Sequence, residues 1–311
     1  MVEKGFAFEG SSPKGYPSER LWGEDMKIVV TGAKGMLGSQ VVKNLSQNSS
    51  WEVIGVTRKE FDITVREDSS HGIYRARPEV VVHTAAYTDV DGSELDYRIA
   101  YTANGIGTRH VALACREARA KMIYISTDYI FDGEKKEPYV PDDLPEPLNE
   151  YGNSKLLGEF HIQEVLDNYL IIRTAWLFGL GGKNFVKGIL EAADRGEPLR
   201  VVNDQIGSPT YTVDLAEAIS HLIQCQAKGI VHATNQGYCS RYQLAQEILR
   251  QTGRENVELI PISSTETDRP APRPTYSVLD NNAYIALTQK PLPAWQDALR
   301  RYLESEGYVW K

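Results

Sequence analysis

Tyr151-Gly152-Asn153-Ser154-Lys155 sets a phenol and an ammonium four positions apart, downstream of the hydroxyl pair Ser126-Thr127. On a helix, positions i and i+4 share a face, so Tyr151 and Lys155 would lie together. A nearby cation favours phenolate and lowers the tyrosine pKa from its reference of about 10. Tyr151 then becomes a usable proton donor to an oxygen that gains charge as a hydride arrives, and Thr127 would hydrogen-bond the same oxygen. Tyr-x-x-x-Lys alone is commonly a surface pair. Its weight here comes from the company it keeps.

That company is a glycine loop, Thr31-Gly32-Ala33-Lys34-Gly35-Met36-Leu37-Gly38, which follows an apolar strand and opens a helical stretch. Glycines let the backbone turn tightly and let a pyrophosphate approach the amides, while the helix N-terminus favours the anion. The spacing is GxxGxxG, and its strand-before, helix-after setting predicts dinucleotide binding. An NAD-selective site places Asp or Glu at the end of the second strand; here Thr57 and Arg58 stand there. Arg58 is either a partner for a 2′-phosphate, which favours NADPH with NADH still usable, or a solvated surface charge. Asp62 would sit near the adenine rather than the ribose.

These groups need a scaffold. Apolar runs at 27–30, 52–56, 79–84, 121–127 and 169–175 read as strands buried on both faces of a parallel sheet. Helical periodicity fills the intervals at 35–45, 93–118 and 154–166. The fold class is therefore α/β, a doubly wound parallel sheet of the Rossmann type, with Ser126 and Thr127 at a strand's carboxyl end, where ligands bind. Later segments read as strands at 199–202 and 229–233 and helices at 213–223, 241–250 and 293–303, with a Pro/Thr/Arg-rich stretch at 261–274. We expect a flexible N-terminal extension at 1–25 and a dinucleotide-binding domain at 26–175. Residues 176–311 would form a smaller, mainly substrate-binding domain, with some segments returning to the first.

Composition removes several classes. Of 311 residues, 34 are basic and 42 acidic, a net charge of −8 without any Lys/Arg block, which argues against nucleic acid or an anionic membrane as partner. No apolar stretch approaches the roughly 18–20 residues of a membrane helix. Three cysteines, Cys115, Cys225 and Cys239, are too few for a disulfide framework and read as small buried hydrophobes. The six histidines suggest neither a metal cluster nor a triad. A cytoplasmic enzyme, monomer or homodimer, is the leading class.

Seven segments carry a specific resemblance: TGAKGMLGSQ (31–40), HTAAYTDVDGSE (83–94), ISTDYIFDG (125–133), YGNSK (151–155), RTAWLFG (173–179), DQIGSPT (204–210) and RPAPRPTYSVLD (269–280). The chain resembles the dTDP-4-dehydrorhamnose reductase family of extended short-chain dehydrogenases/reductases, over nearly everything after Met26. The resemblance implies reduction of the 4-keto group of dTDP-4-dehydro-β-L-rhamnose to dTDP-L-rhamnose. It implies a catalytic set of Thr127, Tyr151 and Lys155, with Asp128 beside the sugar. Gly35, Met36 and Leu37 would lie under the pyrophosphate with Gly32, and Asp62 and Ile63 near the adenine. Ala85, Ala86 and Tyr87 would line the cofactor channel, and Asn104 would support it. Val90, Trp176 and Arg273 are candidates for the dTDP-keto-sugar. A guanidinium fork suits a diphosphate; Trp176 offers either a flat face for a sugar or base or a buried core side chain.

One position departs from that family. Some members are described with Mg²⁺ at a subunit contact, held by a glutamate just after the glycine loop, and the matching residue here is the neutral Gln40. No metal is expected. Two other readings stand beside the first: another keto-sugar reductase or epimerase, or a non-catalytic dinucleotide-binding subunit of the kind that associates with methionine adenosyltransferase. An intact Thr127, Tyr151 and Lys155 favours an enzyme.

Overall fold

The computed structural model describes residues 26–308, so the expected flexible extension lies outside the described residues. Strands β1 (Met26–Thr31), β2 (Trp51–Val56), β3 (Val80–His83), β4 (Lys121–Thr127) and β5 (Tyr169–Thr174) alternate with helices α1 (Met36–Leu45), α2 (Arg66–Ala76), α3 (Val90–Leu95), α4 (Tyr97–Ala100), α5 (Thr108–Ala118) and α6 (Glu150–Val165). There follow β6 (Leu177–Phe178), α7 (Phe185–Asp194), β7 (Leu199–Val202), β8 (Ile206–Gly207), β9 (Thr210–Tyr211), α8 (Thr212–Gln224), β10 (Gly229–His232), β11 (Cys239–Ser240), α9 (Arg241–Gln251), β12 (Leu259–Ile262), α10 (Asn282–Thr288) and α11 (Trp295–Ser305).

Six strands form one sheet in the order β2-β1-β3-β4-β5-β10, every neighbouring pair parallel. This is the expected doubly wound α/β sheet, and β10 reaches it from the second half of the chain. Side chains alternate between its faces, as period-2 geometry demands. Ile28, Val30, Val82, Ile123 and Ile172 pack against Val41 and Leu45 of α1 and Leu215, Ile219 and Leu222 of α8. Val29, Val81, Met122 and Ile171 face Ile73, Val111, Cys115 and Ile162 of α2, α5 and α6. Complete burial of such a side chain is worth about 1.5–3 kcal/mol, so both faces are firmly held. A second core joins Phe178, Leu190, Tyr211, Ile248, Leu299 and Tyr302, below the short pairs β6–β9, β7–β12 and β8–β11.

Three expectations change. The helix expected at 93–118 is broken. Asp96 leaves helical geometry (φ −143°, ψ 86°) to cap α4 with its side chain, and a π-helical turn, Tyr101–Gly107, precedes α5. Helices α2, α7 and α10 had no counterpart in the sequence reading; α2 buries only Ser69 and Ile73 and so shows no apolar stripe. Cys115 and Cys239 are buried, but Cys225 is exposed. Among the described residues no helix is long and apolar enough to cross a membrane.

Candidate active site

The glycine loop bridges the end of β1 to the start of α1. Gly32 adopts φ +69°, a left-handed conformation, and a Cβ there would lie 2.8 Å from the Ala85 amide nitrogen, so the turn requires glycine. Gly35 caps α1 in extended geometry without a side-chain partner, leaving the first amides of the helix to a ligand. Thr84 Oγ1 donates to Thr31 O at 2.6 Å and ties the ends of β1 and β3 behind the loop.

A cleft of about 620 Å³ opens above these strand ends. Of the residues assigned to a cofactor, Gly32, Gly35, Arg58, Asp62, Ile63, Ala85, Ala86 and Tyr87 line it, as do Lys34 and Arg98, which the sequence reading passed over. Met36 and Leu37 begin α1, with Leu37 buried. Asn104 is fully buried beneath the cleft: the π-helical turn aims it at Tyr87, whose amide donates to Oδ1 at 2.8 Å and whose carbonyl accepts from Nδ2 at 2.9 Å. A dinucleotide fits this volume, this glycine turn and these free amides.

Arg58 is 82% exposed and bonds Asp62 at 2.7 Å. Burial raises the Asp62 pKa, but hydrogen bonds from Thr64 and Arg58 outweigh it and hold the carboxyl below its usual range. Glu60 accepts the Thr57 amide at 2.7 Å, a carboxylate at the β2 end that the sequence reading did not weigh. Arg58 must therefore leave, or share, an existing partner to meet a 2′-phosphate. Charge-assisted bonds are worth about 1.5–3 kcal/mol, and exposure keeps this one low. Arg58→Ala is expected to cut kcat/KM for NADPH by at most about tenfold and to leave NADH kinetics unchanged. Equal use of both cofactors by the unmodified protein would make Arg58 a surface charge.

At the neighbouring strand end, Thr127 closes β4 and Asn149 caps α6 through the Gly152 amide at 2.8 Å, placing Tyr151 in the first turn. Burial pushes the Tyr151 pKa well above its ordinary value, opposed by the hydrogen bond with the Thr127 hydroxyl. Lys155 is not aimed at the phenol. Its Nζ donates to Ile125 O at 2.7 Å and lies 4.0 Å from the Tyr124 ring centroid. Burial drops its pKa to about 7, with Glu159 one turn further on pulling the other way. The expected lowering of the Tyr151 pKa is thus reversed here, because desolvation dominates. His83, between Thr31 and Thr108, is neutral, its pKa driven by burial to about 3.

A second pocket of about 460 Å³ lies beyond this cluster, lined by Tyr129, Arg200, Arg241, Arg269 and Arg273 among others. Arg273 forms a bidentate pair with Asp91, Nη1–Oδ1 at 2.6 Å and Nη2–Oδ2 at 2.8 Å. Arg241, at the start of α9, lies 3.5 Å over the Trp176 ring. Trp176 holds a left-handed backbone (φ +46°) with its ring against Gly207, so one face is already covered by a guanidinium. Val90 begins α3 and, like Trp176, is absent from the pocket wall. Asp128, 2% exposed, accepts Ser277 Oγ at 2.6 Å and Thr127 Oγ1 at 3.1 Å.

The family described as RmlD substrate binding domain matches residues 26–307. Spore coat polysaccharide biosynthesis protein SpsK of Bacillus subtilis strain 168 is 41% identical over 281 residues, 90% of this chain and 98% of that protein. The dTDP-4-dehydrorhamnose reductase of Mycobacterium tuberculosis strain H37Rv is 36% identical over 283 residues, 89% of this chain and 92% of its own. Among solved structures, dTDP-4-dehydrorhamnose reductase from Bacillus anthracis strain Ames in complex with NADP matches at a TM-score of 0.87 and 37% identity, covering 90% of this chain and 99% of that one. The chain belongs to the dTDP-4-dehydrorhamnose reductase family.

Within the dTDP-4-dehydrorhamnose reductase family, two features of this member stand out. Arg200 and Arg241 belong to no motif in the sequence, although Arg241 directly follows the helix-capping Ser240, and Arg269 opens the segment 269–280 without a role having been assigned to it. The second is position 40, where the resemblance implied a glutamate holding Mg²⁺ in some members. Gln40 offers a neutral amide, and among the described residues no group of three or more His, Cys, Asp or Glu could hold an ion. Activity is expected to survive EDTA; a large loss restored by Mg²⁺ would reveal a metal site.

Proposed function

We propose that this chain catalyses NADPH-dependent reduction of the 4-keto group of dTDP-4-dehydro-β-L-rhamnose to dTDP-L-rhamnose, with residues 26–175 holding the dinucleotide and 176–311 mainly the sugar nucleotide. The observation that carries this reading is the position of Thr127 and Tyr151. Thr127 ends β4 and Tyr151 stands in the first turn of α6, in a chain whose glycine-turn cleft and arginine-lined pocket suit a dinucleotide and a diphosphate. Bound NADPH would supply the hydride. Gly32, Gly35, Arg58, Asp62, Ala85 and Tyr87 would bind it, and Lys155 would turn from Ile125 O toward its ribose.

Tyr151 gives its proton to the oxygen that becomes the alcohol, the phenol being fully protonated in the free protein. Thr127 steadies the same oxygen. Arg241 and Arg273 take the diphosphate, their planar forks matching phosphate oxygens. The net charge of −8 supports a small-molecule rather than a nucleic-acid partner. Purified protein mixed with NADPH and the keto-sugar should consume nicotinamide absorbance and yield dTDP-L-rhamnose. Binding of NADPH without turnover would favour the non-catalytic reading.

A further inference from the structure

A hydroxyl has one hydrogen to give and two lone pairs. On Thr127 the hydrogen and one lone pair are engaged. It donates to Asp128 Oδ1 at 3.1 Å and accepts the Tyr129 amide at 3.2 Å. Thr127 therefore has no hydrogen left for a ketone oxygen.

Asp128 sets this arrangement. Ser277 faces it from the segment after Arg273, Thr127 from β4, Tyr151 from α6, Arg241 from α9, and Tyr129 stands alongside. Burial raises its pKa to about 6, against the bonds from Ser277 and Thr127 and the charge of Arg241. Near neutral pH it is a carboxylate, which can only accept hydrogen bonds.

We propose that Asp128 is a positioning residue that withholds the Thr127 hydrogen until a substrate hydroxyl beside the ketone donates to Asp128 Oδ1 and frees Thr127 for the keto oxygen. This rests on the keto-sugar reading above and adds a selection rule to it. Thr127 Oγ1 and Asp128 Oδ1, 3.1 Å apart, form a two-point contact suited to the adjacent oxygens of an α-hydroxy ketone. No proton changes its heavy atom in the exchange; one donor to Asp128 replaces another and the Thr127 O–H rotates. Protonation of Asp128 has the same outcome, since a neutral carboxyl can donate into Thr127 and release its hydrogen.

The test compares single-turnover hydride transfer, with NADPH bound, for the keto-sugar and for its analogue lacking the hydroxyl next to the ketone. Near neutral pH the analogue should react about tenfold more slowly, the size of one lost hydrogen bond in the transition state. That gap should close as pH falls below about 6. In Asp128→Asn the amide oxygen takes Ser277 and the NH₂ turns to Thr127, so the gap and its pH dependence should both vanish. An analogue as fast as the substrate near neutral pH, or an undiminished gap in Asp128→Asn, overturns the proposal. A second measurement uses the free protein: Thr127→Val should move the Asp128 titration, followed by its carboxyl infrared band, to higher pH, because a donor to the carboxylate is gone. An unmoved titration also overturns it. This arm needs no substrate, so it separates failure of the proposal from failure of the keto-sugar reading.

Discussion

Tyr151→Phe is expected to lower turnover by about 10²–10⁴-fold, the usual contribution of a positioned acid, while leaving NADPH affinity and thermal stability close to those of the unmodified protein. The ring is retained, and with it the edge-to-face contact with Tyr129 at 6.0 Å between centroids. Only the hydroxyl goes, and with it the hydrogen bond to Thr127. Burial keeps the phenol protonated far above neutral pH, so the proton is present throughout the working range and its loss cannot be masked by a change of pH. Stopped-flow hydride transfer with both ligands saturating measures the effect directly. Near-normal turnover would remove Tyr151 from the chemistry.

What the sequence made legible follows from how local each signal is. The glycine loop between β1 and α1 could be read because a turn that needs φ +69° and an approach of 2.8 Å to Ala85 admits little but glycine. The sheet could be read because strands buried on both faces leave near-continuous apolar runs. The Tyr151–Lys155 spacing was equally clear, but spacing sets a shared helix face and not a direction. Lys155 found the Ile125 carbonyl and the Tyr124 ring instead of the phenol, a choice made by residues about thirty positions away. The arginine pocket was legible only in part, for the same reason. Arg273 stood out within the segment 269–280, but Arg200 and Arg241 come from β7 and α9, and only tertiary packing brings them to one wall with Arg269 and Arg273. Asp96 broke a helix that hydrophobic periodicity had continued, since a capping carboxylate outweighed the period. Trp176 carried no mark of its left-handed backbone, which a non-glycine residue adopts only when tertiary contacts insist.

Lys155→Met should separate function from stability in opposite directions. Methionine is close to lysine in shape, so the change removes the charge and the Nζ hydrogen bond while filling the same space. In the free protein that charge is a burden. Burial lowers the Lys155 pKa from 10.5 to about 7, opposed by Glu159, so folding disfavours the ammonium form. The resulting destabilisation is fully present below pH of about 7, shrinks as pH rises, and is gone above about 10.5, where the side chain is neutral in both folded and unfolded chains. The methionine variant is therefore expected to melt at or above the temperature of the unmodified protein, with the widest margin on the acidic side. Cofactor affinity should move the other way. Loss of charge-assisted bonds from the ammonium to the nicotinamide ribose, worth about 1.5–3 kcal/mol, weakens NADPH binding roughly tenfold to a hundredfold or more. Tyr151→Phe spares that step, so paired measurements of NADPH dissociation constants distinguish a lysine that binds the cofactor from one that acts only through the phenol. An unchanged dissociation constant in Lys155→Met would reduce Lys155 to the second role. A melting temperature that falls on the acidic side would mean that the Ile125 carbonyl and the Tyr124 ring repay the burial of the charge in full, and that the lysine is a structural anchor of α6 as well.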